Sequence, residues 1–426
     1  MSEFGIIRRY PAAGLRYFLL LVLAPFGPAD AAWEVLPEAI MEVETNDNSR
    51  MRAEDEEIST TRTVLDAEVT LSTFSERGNV LVQPRVRTDA YTKSINQELE
   101  STDVFLHGRG AYSWERFAID LRADYADESV LSSELSDAVP EDPDLEDPLD
   151  PSTGDLNELE QDRERLDMRA NLDFILSERN SLVVEARAIN VAYEPQGQTT
   201  RNDFDNKTLY IGVNRRVDDR NEITARLLVN DFEVPSNQNK TNTVGVEGTF
   251  TRPLAPNWRM NLTANVARSD YSFLDEIELP TGEPDFVLVD NAEATFAARI
   301  AFRRRTDRST WNIDIGRRVL PNSNGFLTIR DELRGYIRQQ VRPRVALSLA
   351  GRIYQSEKLD NIDSNNDRDY ARVDLDVEWT FSDRWYLIGG YSLRQQEFTN
   401  LAQGGDATAN TFRIGVNYRT PSRSGI

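Results

Sequence analysis

The stretch TFRIGVNYRT, Thr411 to Thr420, decides the fold. Phe412, Ile414, Val416 and Tyr418 are apolar, while Arg413, Gly415, Asn417 and Arg419 are polar or small. Alternation at period two marks a β-strand with two unlike faces. A soluble sandwich turns the apolar face inward, and a membrane barrel turns it outward to lipid. The choice rests on the rest of the chain.

The same alternation recurs throughout. RVDLDVEWTF sets Val373, Leu375, Val377, Trp379 and Phe381 against Arg372, Asp374, Asp376 and Glu378. FAIDLRADY, SLVVEARA and AEATFAARIAF repeat the pattern at Phe117–Tyr125, Ser181–Ala188 and Ala292–Phe302. The connections alternate as well. FSERG (Phe74 to Gly78), LSERN (Leu176 to Asn180), RTDRS (Arg305 to Ser309) and FSDRW (Phe381 to Trp385) are short and polar, which suits β-hairpins. Between them lie longer polar connections, among them EPQGQTTRNDFDN, LDEIELPTGEPDFVLVDN and KLDNIDSNNDRD. One tight and one loose end per hairpin is the pattern of an outer-membrane barrel. Trp114, Trp258, Trp311, Trp379 and Trp385 lie near the tight turns, where an interfacial girdle belongs. Counting back from the C-terminal strand gives seventeen strands, and WEVLPEAIMEVE from Trp33 supplies an eighteenth, weakened by Pro37. The expectation is an all-β, antiparallel, up-and-down transmembrane barrel of about 18 strands.

The N-terminus points to export. Arg8, Arg9 and Arg16 precede the apolar run YFLLLVLAPF (Tyr17 to Phe26), and ADAA follows with an A-x-A pattern at Ala29 and Ala31. That is a secretory signal peptide, residues 1–31, cut after Ala31. The run is too short for a spanning helix of about 20 residues. The expected layout is then a barrel over 32–420, an acidic extracellular loop at 132–162 and a periplasmic tail at 421–426. Removing 31 of the 426 residues leaves 395, enough for eighteen crossings of ~9–11 residues each with their connections.

Composition narrows the chemistry. There is no cysteine, so the exported chain folds without disulfides. The formal charge of -23 argues against a nucleic-acid partner. Twelve of the acids fall between Ser132 and Asp162, a stretch with no Lys or Arg. His107 is the single histidine, and no GxSxG, P-loop or zinc spacing accompanies it, so the chain reads as no enzyme. The acidic loop holds the oxygen ligands Ca²⁺ prefers but not EF-hand spacing, and a solvated loop is the plainer reading beside calcium ordering.

Parity along the strands assigns the inner face. Arg85, Arg87, Asp120, Arg122, Arg169, Glu185, Arg187, Arg299, Glu332, Arg334, Arg352, Asp374, Asp376, Glu378 and Arg394 all fall on it. Mixed charges lining a pore orient polar or ionic solutes; neutralisation within cross-strand ion pairs is the competing reading. Tyr210, Tyr336, Tyr354 and Tyr386 share that parity, and a tyrosine ring face suits a sugar, although packing within the wall is the commoner use. Arg215, Arg268 and Arg317 fall on the outward parity and are expected at the rims.

Two stretches carry a resemblance. WEVLPEAIMEVETNDN (Trp33 to Asn48) and GRRVLPNSNGFLTIRDELR (Gly316 to Arg334) resemble the β-barrel porin 2 outer-membrane proteins. Some of those barrels are associated with exopolysaccharide export and others with exosortase-type surface sorting. The resemblance implies an outer-membrane barrel acting as a conduit for extracellular polysaccharide. It also implies membrane lipid, the barrel assembly machinery and a periplasmic polysaccharide export protein as partners. A diffusion porin and a structural or adhesive barrel without transport stay open as alternatives.

Overall fold

In the computed structural model, the described residues are 33–49, 51, 57–92, 100–130, 161–194, 201–236, 238–278, 284–322, 327–358, 367–399 and 406–421. The signal peptide, nearly all of the acidic loop and most of the C-terminal tail lie outside them.

Eighteen strands run in sequence. They begin with β1 (Trp33–Asn46), β2 (Thr60–Phe74), β3 (Gly78–Tyr91), β4 (Ser101–Ser113), β5 (Phe117–Ser129) and β6 (Asp162–Ser177). Next come β7 (Asn180–Tyr193), β8 (Phe204–Arg216), β9 (Glu222–Val234), β10 (Asn239–Ala255), β11 (Trp258–Glu278) and β12 (Pro284–Thr306). The set ends with β13 (Ser309–Pro321), β14 (Leu327–Arg342), β15 (Val345–Lys358), β16 (Asp367–Ser382), β17 (Trp385–Thr399) and β18 (Ala407–Arg419). Each pairs antiparallel with its chain neighbours, and β1 closes the ring on β18, with Val43 opposite Ile414. Pro37 costs one donor but does not end β1, which pairs with β2 through all its residues.

The expected tight turns are present, and hydroxyls hold them. Ser75 Oγ accepts from the Gly78 N–H at 3.1 Å and donates to the Gly78 carbonyl at 2.9 Å. Ser177 and Thr306 accept in the same way from Asn180 and Ser309, at 3.2 and 3.0 Å. These are side-chain turns, in which the hydroxyl stabilises the reversal with no glycine at the central positions. Between β8 and β9, Asp218 accepts from the Asn221 side chain at 2.6 Å and from the Arg220 and Asn221 N–H groups at 2.8 Å. Those bonds favour the ionised form and hold its carboxyl below the usual range.

The two faces of the wall differ as the alternation requires. Leu227, Val246, Val266 and Phe296 form one hydrogen-bonded row across β9 to β12, all outward and more than half exposed. So large an exposed apolar surface is excluded in water and is the ordinary exterior of a transmembrane barrel. Its lower border is aromatic: Trp258 meets Trp311 with ring centroids 6.0 Å apart, and Trp385 meets Tyr418 at 5.1 Å.

Two features depart from the sequence reading. LDEIELPTGEPDFVLVDN, expected as a long connection, is largely strand: β11 and β12 stay paired from Trp258 opposite Arg304 to Glu278 opposite Pro284. They form a two-stranded arm past the ring. Beside it the wall forks. β12 pairs with β13 only from Thr306 opposite Ser309 to Arg299 opposite Gly316, whereas β13 stays paired with β14 to Pro321 opposite Leu327. The tip of the β13–β14 hairpin therefore leaves β12 at Gly316. A Cβ there would meet the Ala298 carbonyl at 2.5 Å and Arg299 Cα at 2.7 Å, so the fork needs glycine for close backbone approach. Pro321, Asn322, Leu327, Thr328 and Arg330 on this tip are buried, unlike a free rim.

Candidate functional site

Mid-height on the inner wall carries charge. The register brings Arg109 of β4 opposite Arg122 of β5, Arg122 opposite Arg169 of β6, and Arg169 opposite Arg187 of β7. Four arginines thus stand side by side on one row. A second row joins Arg334 of β14, Arg352 of β15, Arg372 of β16 and Arg394 of β17. Around a closed ring of 18 strands, β4–β7 and β14–β17 are separated by six strands one way and four the other, so the rows face each other nearly across the lumen.

Like charges directly opposite on neighbouring strands repel. Acids in the rows above and below relieve them. Arg109 pairs with Asp120 at 2.8 Å, Arg187 with Asp167 at 2.7 Å, and Arg169 lies 3.9 Å from Glu185. In the second row Arg352 pairs with Glu332 at 2.5 Å, Arg372 with Asp374 at 2.9 Å, and Arg334 lies 3.7 Å from Asp314. Asp314 is a hub: it also accepts from Arg318 at 3.0 Å and from Arg299, joining β12, β13 and β14 below the fork.

The remaining inward charges take local partners. Arg85 pairs with Asp66 at 2.5 Å, Arg87 with Asp89 at 3.2 Å, Asp376 with Arg413 at 2.5 Å and Glu378 with Arg338 at 2.8 Å. Glu185 also binds Arg226 at 2.8 Å. His107 is joined through Nδ1 to Asp124. The tyrosines meet cations and one another. Arg226 lies 4.3 Å over Tyr210, Arg330 lies 3.9 Å over Tyr354, and Arg419 lies 5.3 Å over Tyr386. Tyr354 also stacks on Tyr370 at 4.8 Å, and Tyr336 is buried on β14. A sugar reaching Tyr210 or Tyr354 would have to displace an arginine.

Arg215 and Arg317 lie near the ends of β8 and β13, whereas Arg268, also expected at a rim, falls at the middle of the long strand β11. Arg268 pairs with Asp270 at 3.0 Å on the exposed outer face, and Arg317 pairs with Asp331 at 2.5 Å on the hairpin tip.

Two inner-wall features were absent from the sequence reading. At the loop end, Ile189, Val191 and Tyr193 of β7, Phe204 of β8, and Phe232 and Val234 of β9 are inward, buried and apolar, in one cluster with Leu327; Val319 and Ile329 pack against it. The hairpin tip therefore belongs to a hydrophobic cluster shared with the far side of the mouth. Below it a cavity of about 400 Å³ lies between the tip and the inner faces of β7 to β12. The readable signal is a change of parity: in LLVNDFEV the outward Leu227 and Val229 give way to outward Asp231 and Glu233, and the apolar side moves inward to Phe232 and Val234.

No protein family and no curated protein matches the chain by sequence, and the resemblance to β-barrel porin 2 proteins gains no support there. Solved structures with a similar course include OpdQ of Pseudomonas aeruginosa, 12% identical, TM-score 0.43, covering 91% of this chain and 98% of that one. OccAB3 of Acinetobacter baumannii is 10% identical, TM-score 0.43, with 91% and 99% covered. The siderophore receptor PirA of Pseudomonas aeruginosa is 9% identical, TM-score 0.40, with 91% and 80% covered. Likeness this distant carries no functional statement to this chain.

Proposed function

We propose that the chain forms a polar pore in the bacterial outer membrane and passes hydrophilic solutes without chemical change. The observation that carries this reading is the pair of facing arginine rows. Guanidinium groups at mid-strand behind an apolar outer band require a polar inner side: those of β4–β7 are partly exposed to the lumen, and those of β14–β17 are buried within a polar wall. The local field of the partly exposed β4–β7 row attracts anionic groups of a passing solute and lets them exchange between neighbouring arginines.

The finer reading is export of an extracellular polysaccharide together with a periplasmic export protein. What supports it is the resemblance of Trp33–Asn48 and Gly316–Arg334 to conduit barrels. A diffusion porin is the alternative, and solute range separates the two: a porin swells liposomes with unrelated small solutes, and a dedicated exporter stays nearly closed without its partners.

The pore itself is tested in planar bilayers. Stepwise conductance is expected, and replacing Arg109, Arg122 and Arg169 together by Gln should shift the reversal potential in a salt gradient toward cation preference. A folded barrel with neither current nor liposome swelling, with and without a periplasmic extract, would overturn conduction. Loss of surface polysaccharide in a deletion strain tests the finer reading, and an unchanged coat rejects it.

A further inference from the structure

The chamber beneath the β13–β14 tip differs chemically from the rest of the inner wall. Most of the lumen is ion-paired, and here too Arg226 and Glu247 face the cavity as a pair, but the other polar groups that β8 to β11 turn toward it are largely neutral amides and hydroxyls, among them Asn206, Thr208, Asn230, Thr243, Thr263 and Asn265. Two of the amides are preorganised. The Asn230 amide donates to Asn206 Oδ1 at 2.6 Å and to Thr208 Oγ1 at 2.9 Å. That leaves the Asn230 carbonyl, the Asn206 amino group and the whole Asn265 amide without a hydrogen-bond partner among the described residues. Such a set both donates and accepts, as a hydroxyl-bearing ligand requires. The other walls offer apolar surface at Ile189 and Leu228 on the barrel and at Val319, Leu320 and Leu327 on the tip, with Arg187, Arg299, Arg317 and Arg318 at their margins.

The charged groups at the margin already have counterions. Arg187 is held by Asp167 at 2.7 Å, Arg226 by Glu185 at 2.8 Å and by Glu247, and Arg317 by Asp331 at 2.5 Å, while Arg318, at 3.0 Å, and Arg299 share Asp314. An ionic ligand would have to break one of these pairs or remain poorly compensated in a half-enclosed space, both costly. A neutral ligand does neither. About 400 Å³ suits a small molecule of a few rings.

We propose that this chamber is a binding site for a neutral saccharide, its hydroxyls on the asparagine and threonine wall and its C–H faces against the hairpin tip. The inference concerns binding alone and stands whether or not the barrel conducts.

The test uses the full barrel in detergent, with sucrose and maltotriose as probes and glucuronate as the charged comparison. Binding is read by saturation-transfer NMR and calorimetry, and folding by the gel-mobility difference between boiled and unboiled samples. At least one neutral sugar is expected to bind and glucuronate is not. Asn230→Asp and Asn265→Asp should each weaken that binding by roughly tenfold or more. Asn171→Asp, on the inner wall outside the chamber, should leave it unchanged. The proposal is overturned if no neutral sugar binds the folded barrel, if both chamber variants bind as the parent does, or if glucuronate binds as tightly. No current is measured, so failure of this site and failure of conduction are read separately.

Discussion

Asp314 concentrates the electrostatics of the inner wall in one side chain. It is 6% exposed and faces Arg299, Arg318 and Arg334 from three consecutive strands. Replacing it by Asn keeps the shape and removes the charge that three guanidinium groups share. Breaking a buried ion pair from one side costs about 3–5 kcal/mol, because the orphaned charge stays buried. Asp314→Asn should therefore lower the temperature at which the unboiled gel form is lost, with rescue by Glu weak because a longer side chain misplaces the carboxylate. The exposed outer pair Arg268–Asp270 provides the contrast: Asp270→Asn should cost about 0–1 kcal/mol and leave that temperature nearly unchanged. At this scale the sequence was half legible. Alternation assigns Arg122, Arg169 and Arg187 to one face, but nothing in composition aligns them on one row. That alignment depends on registers set by turn lengths and by every preceding strand. The hub is hidden for the same reason: Asp314 and Arg334 are distant in sequence and become partners only through the β13–β14 register.

At the scale of elements, strand number and the tight turns were legible because each is encoded locally. Period-two runs and Ser- or Thr-led reversals need no knowledge of the partner strand. The β13–β14 hairpin was not, because its course is fixed by what it meets. Its quoted stretch contains the required parts, a glycine at the fork and apolar residues Val319, Leu327 and Ile329 along the tip, yet local pattern alone reads these as ordinary wall. Gly316 and Gly335 separate the two roles. A Cβ at Gly316 would press on Ala298 and Arg299 backbone at 2.5 and 2.7 Å, whereas at Gly335 the nearest atom is the Asn312 carbonyl at 3.8 Å. Gly316→Ala should thus open or shift the fork and Gly335→Ala should be tolerated. The expected outcome is higher single-channel conductance and weaker saccharide binding for the first variant, with parental values for the second. Equal behaviour of the two would mean that the fork does not depend on close approach at Gly316.

For the whole molecule, everything turns on the solvent outside the ring. Leu375 lies on the outward face of β16, six residues from outward Asp369 toward the loops and six from outward Phe381 toward the tight turns. It is 47% exposed, so in water it contributes little by burial, and an arginine there would be close to neutral or would improve solubility. In a bilayer the same position is the midplane. Arginine at that depth costs roughly 2–4 kcal/mol, falling to about 0–1 near an interface. Leu375→Arg should lower unfolding stability in lipid vesicles by that larger amount, read from the urea midpoint at an unchanged slope. Asp369→Arg, at the border of the apolar band, should cost close to nothing. A graded response along β16, greatest at its middle, follows only if acyl chains surround the barrel; a flat response would place water on both sides and turn the wall's polarity into that of a soluble shell.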